Sequence, residues 1–259
     1  MDYNYHTHTY RCGHASGTEE EYINRAIECG IKYMGFSDHA PLKFADGHEP
    51  NFRVPTSKVE DYFSTIKALR EKYKDKIDIS IGFEMEYYPN IFDKMLKAVK
   101  DYGAEYLILG EHFPDEEYPE ALEHSAVRSD SVDKLKTYVS RVVDGIKTGV
   151  FTYVAHPDMI NFTGDKALFK EEMRKICIAS REYGVPLEIN CLGIRDNRNY
   201  PRSDFWEVAG EEQCPVTFGF DAHDVLNAYD GDSVIKAKEM VKKYNLNYIG
   251  KPEIRSLQK

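Results

Sequence analysis

Short apolar runs alternate along the chain with stretches where apolar residues recur every three or four positions. The runs at 3–6, 33–37, 77–83, 106–109, 152–155, 186–189 and 216–220 are brief, and most are rich in β-branched or aromatic residues, as buried strands are. Between 57 and 74 the helical repeat is Val59, Tyr62, Phe63, Ile66 and Leu69, and 91–102, 132–147, 170–183 and 233–244 behave alike. Thr18 followed by Glu19, Glu20 and Glu21 marks the start of the first helix, with acids against the positive end of its dipole, and Cys29–Gly30 marks its end. Gly149 and Gly184 stand where two later helices should stop. Seven strands alternating with helices predict a parallel sheet, open or closed, with helices outside it. No repeat, low-complexity tract or linker divides the chain, so one domain is expected over 1–259.

The polar residues that follow the strands form a pattern of their own. The first strand runs into His6 and His8, with His14 in the loop beyond. The second reaches Asp38 and His39, the third Glu84 and Glu86, and the fourth Glu111 and His112. The fifth reaches His156 and Asp158, the sixth Glu188 and Asn190, and the seventh Asp221 and His223. In closed α/β barrels the functional residues gather at these C-terminal strand ends. Three pairs, His6/His8, Glu84/Glu86 and Asp221/His223, are spaced i, i+2, which in an extended strand puts both side chains on one face. One histidine near a strand end is most often a hydrogen-bonded structural residue, and an isolated H-x-H carries little weight. Seven of the nine histidines at equivalent topological positions call for another explanation. Burying that many titratable groups without a cation is costly, and neutral imidazole with carboxylate suits zinc, manganese and iron.

Composition narrows the choice of partners. The chain has 259 residues, 42% hydrophobic and 30% charged, which suits a globular fold with a sizeable core. A formal net charge of −10 disfavours a nucleic-acid backbone, whereas a small phosphorylated substrate is acceptable because bound cations can reverse the local field. The cysteines number five, with no C-x-x-C, which predicts a reducing cytoplasm. The first twenty residues hold no apolar run of the signal-peptide kind, and no stretch is long enough to span a bilayer, so no membrane partner is expected. Oligomeric state is not legible. Cysteine-based phosphoryl chemistry is disfavoured, because the sixth residue after Cys191 is Asn197 and after Cys12 is Thr18, where an arginine would be needed. Ser37 lies beside Asp38 and His39 but outside any G-x-S-x-G, and no Walker A sequence occurs. His48 and His124 fall outside the strand-end pattern and read as surface residues, with His124 or Arg128 as candidates for a loop over the site.

The segments YHTHTYRCGHA, FSDHA, GFEMEY, LGEHF, VAHPD, EINCLGIRDNRNYP and FGFDAH together resemble the polymerase and histidinol phosphatase (PHP) superfamily, most closely its histidinol-phosphate phosphatase branch. The resemblance runs through nearly the whole chain. It implies a distorted (β/α)7 barrel with two or three divalent metal ions, zinc, manganese or iron, at the strand ends. Carried over by motif, His6, His8, Glu84 and Asp221 would hold the first ion. Glu84 would bridge to a second, held also by His112 and His156, and His14, His39 and His223 would hold a third. Glu84 is chosen over Glu86 because the family pattern sets its acid two residues after a glycine, here Gly82. Arg195, two residues after Gly193, matches the family's basic position after the sixth strand, and Arg198 is a second candidate phosphate-binding residue. The basic residue that many family members carry after the strand-five histidine has no counterpart in 158–162.

The implied activity is hydrolysis of a phosphomonoester, L-histidinol phosphate first and another small phosphomonoester second, with a nuclease as a more distant alternative. Two nearby metals would acidify a bridging water, and the hydroxide would attack phosphorus in line. Glu84 would bridge, and Asp221 or a neighbouring histidine, His223 among them, would protonate the leaving alkoxide. Asp38 and Asp158 are candidates to orient histidines, or simply to cap loops. Tyr87, Tyr88 and Glu116 are candidates for the mouth of the site.

Overall fold

The computed structural model describes residues 1–118 and 123–258. Eight parallel strands form one sheet in chain order: β1 (Tyr3–Asn4), β2 (Tyr33–His39), β3 (Asp78–Met85), β4 (Tyr106–Leu109), β5 (Phe151–Val154), β6 (Leu187–Asn190), β7 (Pro215–Gly219) and β8 (Asn247–Tyr248). The sheet curls until the chain beyond β1 meets the chain beyond β7: His8 N donates to Ala222 O at 2.9 Å and Ala222 N to His6 O at 3.2 Å. This is the distorted (β/α) barrel the sequence predicts, with one strand more than the seven expected. The two-residue β8 pairs with the start of β7, and its Tyr248 Oη lies 3.2 Å from Tyr3 Oη on β1.

The helices are α1 (Glu19–Glu28), α2 (Val59–Tyr73), α3 (Phe92–Tyr102), α4 (Val132–Lys147), α5 (Lys166–Tyr183), α6 (Cys191–Arg195), α7 (Ser203–Glu212) and α8 (Gly231–Lys243). Thr18 starts α1 as expected: its hydroxyl accepts from Glu21 N at 3.3 Å, and Glu21 Oε2 accepts from Thr18 N at 2.7 Å. Gly184 ends α5 in the left-handed conformation. The sequence pattern missed α6 and α7, and it began α5 four residues late, because Asp165 caps it from outside the apolar repeat.

Strand alternation produces two cores. Met34 and Phe36 on β2, Ile79, Ile81 and Phe83 on β3, Leu107 and Leu109 on β4 and Leu187 and Ile189 on β6 point outward into the main core under the helices. Inside the barrel, Tyr3, Tyr5, Tyr106, Ile108, Tyr153 and Ala155 pack into a smaller plug. On the inward face of the strands, towards their C-terminal ends, sit His39, Glu84, Glu86, Glu188 and Asn190, all buried. The barrel is thus apolar and aromatic at its base and polar at its top, and that division positions the site.

The plug depends on a close approach between β3 and β4. Gly82 pairs with Tyr106, and a Cβ on Gly82 would run into the Tyr106 carbonyl oxygen and ring. Backbone cannot move aside as a flexible side chain can. Gly82→Ala should therefore cost about 1–3 kcal/mol, as overpacking does, and lower the melting temperature by several degrees at fixed metal loading. An unchanged melting temperature would show that the barrel interior has slack there.

Candidate metal centre

The loop after β1 illustrates how the sequence folds locally to deliver side chains. Thr9 caps a 3-10 turn at Tyr10–Cys12, and Gly13, at φ 80°, reverses the chain so that His14 returns over the strand ends. Arg11 is buried beneath the turn and pinned by Glu19 and by Asp61, whose Oδ2 accepts from Nε at 2.9 Å. Two donors at other strand ends hold unusual backbone: His156 has φ 31° and Asp221 φ 49°. Non-glycine residues seldom adopt such angles, and they concentrate at functional sites.

All nine residues carried over as metal ligands come together. Glu84 lies at the centre: its Oε2 is 3.5 Å from His6 Nε2, 3.4 Å from His8 Nε2 and 3.4 Å from His39 Nδ1. Its Oε1 is 3.5 Å from His112 Nε2 and 2.9 Å from His156 Nε2. Asp221 Oδ1 faces His6 Nε2 at 3.5 Å, His8 Nε2 at 3.3 Å and His223 Nδ1 at 3.2 Å. His14 Nε2 lies 3.1 Å from His223 Nε2. His6, His8 and Glu84 are fully enclosed, whereas His14 is exposed at the rim.

Whether this set fits cations can be tested on its own atoms. Among the described residues, His6 Nε2, both ring nitrogens of His8, both oxygens of Glu84, His39 Nδ1, His156 Nδ1 and Asp221 Oδ1 are buried without a hydrogen-bond partner. Native proteins seldom leave so many buried polar atoms unsatisfied. The spacing is informative too: two donors each about 2.1 Å from one ion, at a tetrahedral angle, stand about 3.4 Å apart. Most imidazole–carboxylate contacts here cluster near that value. The donor set therefore fits divalent ions, and the two oxygens of Glu84 face two different groups of histidines.

The protonation balance points the same way. Burial pushes the His6 imidazole down, but Asp221, Glu188 and Glu84 push harder, and the net position is well above the ordinary histidine range. His8 follows, pulled up mainly by Asp221 and Asp38 against its burial. Burial drives His39 well down, helped by His8. Glu84 and Asp221 are held well below the usual carboxylate range, since the surrounding histidines outweigh their burial. Without metal, protons on the imidazoles supply the positive charge that the buried carboxylates require.

A second ring of groups fixes the imidazoles. His6 Nδ1 is 2.8 Å from Glu188 Oε1, and His112 Nδ1 is 2.7 Å from Glu86 Oε1. Glu188 Oε2 also accepts from His156 N at 3.0 Å and from Asn190 Nδ2 at 2.8 Å. A Cβ on Gly219 would occupy the space of Glu188 Oε1, so glycine there makes room for the carboxylate. Asp38 Oδ1 is 3.5 Å from His8 Nδ1, but the carboxylate accepts its hydrogen bonds from Thr9 N, Thr9 Oγ1 and His39 N, so it holds loop and strand end together. Asp158 touches no histidine. Its Oδ2 accepts from Arg202 N at 2.6 Å and from Trp206 Nε1 at 3.1 Å, which anchors α7, and burial raises it to about 7.

The cluster floors a cavity of 640 Å³. Arg195 and Arg198 both line it. Arg195 Nη1 is tied to Asp230 Oδ2 at 3.1 Å, and Arg198 Nη1 donates to Tyr200 Oη at 3.1 Å. Tyr200, Phe52, Phe113, Met159 and Leu192 supply aromatic and apolar wall, and Asp196 and Asp224 supply negative charge. None of these wall residues was given a role from the sequence: Phe113, Leu192, Asp196 and Tyr200 lie inside the segments that carry the family resemblance, and Phe52, Met159 and Asp224 have no local pattern that separates them from core or loop. The expected mouth residues lie elsewhere: Tyr88 is fully buried, and neither Tyr87 nor Glu116 lines the cavity. His124 does line it, with burial and His112 holding it down at about 3, whereas His48 stacks on Tyr118 and Arg128 is exposed outside the cavity lining.

A parallel α/β barrel that gathers seven imidazoles and two carboxylates at its strand ends carries, by fold and donor set, a candidate metal-binding centre. The PHP domain model matches residues 4–191, and the chain belongs to the PHP domain family. Asp221 and His223 lie beyond the matched span, and the turn after β7 brings them to the cluster. The histidinol-phosphatase of Bacillus subtilis is 25% identical over 265 residues, which cover 87% of this chain and 96% of that protein. A probable histidinol-phosphatase of Deinococcus radiodurans is 25% identical over 223 residues, covering 84% of this chain and 85% of the relative. In fold, the chain is similar to the histidinol phosphate phosphatase of Lactococcus lactis, crystallised with zinc, L-histidinol and phosphate. That match has a TM-score of 0.70 and 18% identity over 95% of both chains. No helix of the described residues is long and apolar enough to cross a membrane.

The proton balance yields a test. His6, His8, His14 and His112 hold protons more tightly than a free imidazole, and a cation must displace them. Their raised values stabilise the metal-free fold fully below the unfolded value of about 6.5, and this is lost as pH rises through the folded values. Glu84 and Asp221 contribute above the unfolded carboxyl values of about 4, and their contribution is lost only as pH falls through their depressed values. The gain in melting temperature on adding zinc should therefore grow as pH rises from about 6.5, the unfolded histidine value, through the higher folded values. A gain that is flat or shrinks over that interval would contradict cation binding at these histidines.

Proposed function

We propose that this chain is a metal-dependent phosphomonoester hydrolase, with L-histidinol phosphate as its substrate. The observation that carries the reading is the unsatisfied donor cluster at the floor of a cavity whose wall holds two arginines. The two histidinol-phosphatase relatives align over more than four-fifths of this chain and point to the same substrate. His6, His8, Glu84 and Asp221 would hold one ion, Glu84, His112 and His156 a second, and His14, His39 and His223 a third. Zinc, manganese and iron all suit this donor set. When bound, such ions stabilise charge on phosphoryl oxygens and lower the pKa of water enough to furnish a nucleophile at neutral pH.

The chain's own residues do the rest. Arg195 and Arg198 line the cavity and would bind the phosphate oxygens, a planar fork matching a tetrahedral anion. The alkoxide that leaves must gain a proton. We assign that transfer to Asp221 or His223, which line the cavity 3.2 Å apart and would relay a proton from water, since the Asp221 carboxyl itself is held deprotonated. Asp196 and Asp224 suit a cationic amine on the leaving group, and the aromatic wall suits a ring. Five unpaired cysteines, four of them buried, fit a cytoplasmic enzyme. Another small phosphomonoester is the second reading, favoured by the missing base in 158–162: Asn161 Nδ2 there is spent on Ala126 O, and Phe162 O on Arg202.

The test is metal analysis together with a panel of phosphomonoesters that includes L-histidinol phosphate. The wild type should release phosphate fastest from L-histidinol phosphate. His6→Ala should lose bound metal and more than about a hundredfold in kcat/KM, beyond what loss of an orienting partner costs. Metal-loaded protein that hydrolyses no phosphomonoester would overturn the reading, and a faster substrate elsewhere in the panel would favour the second.

A further inference from the structure

A fully buried arginine lies behind the cavity wall. Arg53 is 1% exposed and faces two carboxylates that are almost equally enclosed. Its Nε donates to Glu117 Oε1 at 2.7 Å and its Nη1 to Ala40 O at 3.2 Å, the residue after His39. Its Nη2 lies 2.8 Å from Glu86 Oε2, an ion pair too far out of line to count as a hydrogen bond. The opposite oxygen of Glu86 holds His112 Nδ1 at 2.7 Å. The guanidinium therefore touches the end of β2, the orienting partner of His112, and the segment that follows Phe113.

The same arginine shapes the pocket. Its guanidinium carbon sits 4.9 Å from the centre of the adjacent Phe52 ring. Phe52 meets His39 edge-on at 5.7 Å and Phe113 at 5.9 Å, and both phenylalanines line the cavity. A buried charge of this kind costs more than it returns unless every partner is in place. A lysine, with its single point of charge, could not serve Glu86, Glu117 and Ala40 together.

We propose that Arg53 is a positioning residue that couples the aromatic wall of the pocket to the orientation of His112, through Glu117 on one side and Glu86 on the other. The proposal rests on the reading of the strand-end cluster as a cation site. Its binding measurements do not depend on which phosphomonoester is hydrolysed, or on whether any is.

The test uses full-length Arg53→Lys and Glu117→Gln, compared with wild type in zinc affinity by chelator competition, in kcat and KM separately, and in melting temperature. Arg53→Lys should weaken zinc binding by about 10–100-fold, the loss typical when an orienting partner fails, and raise KM several-fold. Glu117→Gln keeps the Glu86–His112 contact but loosens Arg53 behind it, so it should raise KM and weaken zinc several-fold, less than Arg53→Lys does. Should Arg53→Lys fold poorly, the joint change of zinc affinity and KM in Glu117→Gln decides the matter. A purely structural role would lower the melting temperature of both variants and leave zinc affinity and KM per folded molecule at wild-type values, and that result would overturn the proposal. A wild type that binds zinc as expected but cleaves no phosphomonoester would sink the phosphatase reading and leave the zinc comparison of the two variants intact.

Discussion

The structure turns on one buried carboxylate. Glu84 is enclosed at the top of the barrel and faces five imidazoles, from His6, His8, His39, His112 and His156, with neither oxygen hydrogen-bonded. A charged group in that position is tolerated only if positive charge is shared around it. Protons on the histidines can provide that charge, and so can cations, and the separations suit the latter. The barrel supplies the rigidity such an arrangement needs, because the nine donors come from the ends of six strands or from loops pinned beside them. The tyrosine plug beneath and the ring of Glu188, Glu86 and Asn190 around the cluster hold the donors in place.

Much of this was legible in the chain itself. Strand and helix periodicity predicted a parallel sheet with helices outside it, the family resemblance closed it into a barrel, and the placement of histidines after the strands located the cluster, because such a sheet sends those positions to one end. What escaped reading was short, or distant in sequence. The two residues of β8 are too few to show alternation, and α7 hides its Phe205, Trp206, Val208 and Ala209 behind a polar, proline-containing loop. Local spacing could not show that Arg53 meets Glu117, 64 positions away, or that Asp158 serves α7 rather than a histidine. Nor does composition foretell the left-handed backbone at His156 and Asp221, which is imposed by the turns that follow their strands.

The site separates two tasks. The floor, made of imidazoles and carboxylates, is indifferent to the organic part of a substrate. The wall, made of Phe52, Phe113, Tyr200, Leu192, Asp196 and Asp224 with Arg195 and Arg198, can discriminate between leaving groups. A family sharing one floor can therefore change substrate by changing loops, as barrels of this kind do. In this chain the two tasks meet where Phe52 packs on His39 and Phe113, beside His112.

Anomalous X-ray scattering at the zinc edge, from crystals grown with zinc, tests the central claim most directly. One peak should fall within about 2.0–2.2 Å of donors from His6, His8, Glu84 and Asp221, and another within the same range of Glu84, His112 and His156. Crystals with zinc in the mother liquor and no anomalous peak inside the ring of histidines would contradict it.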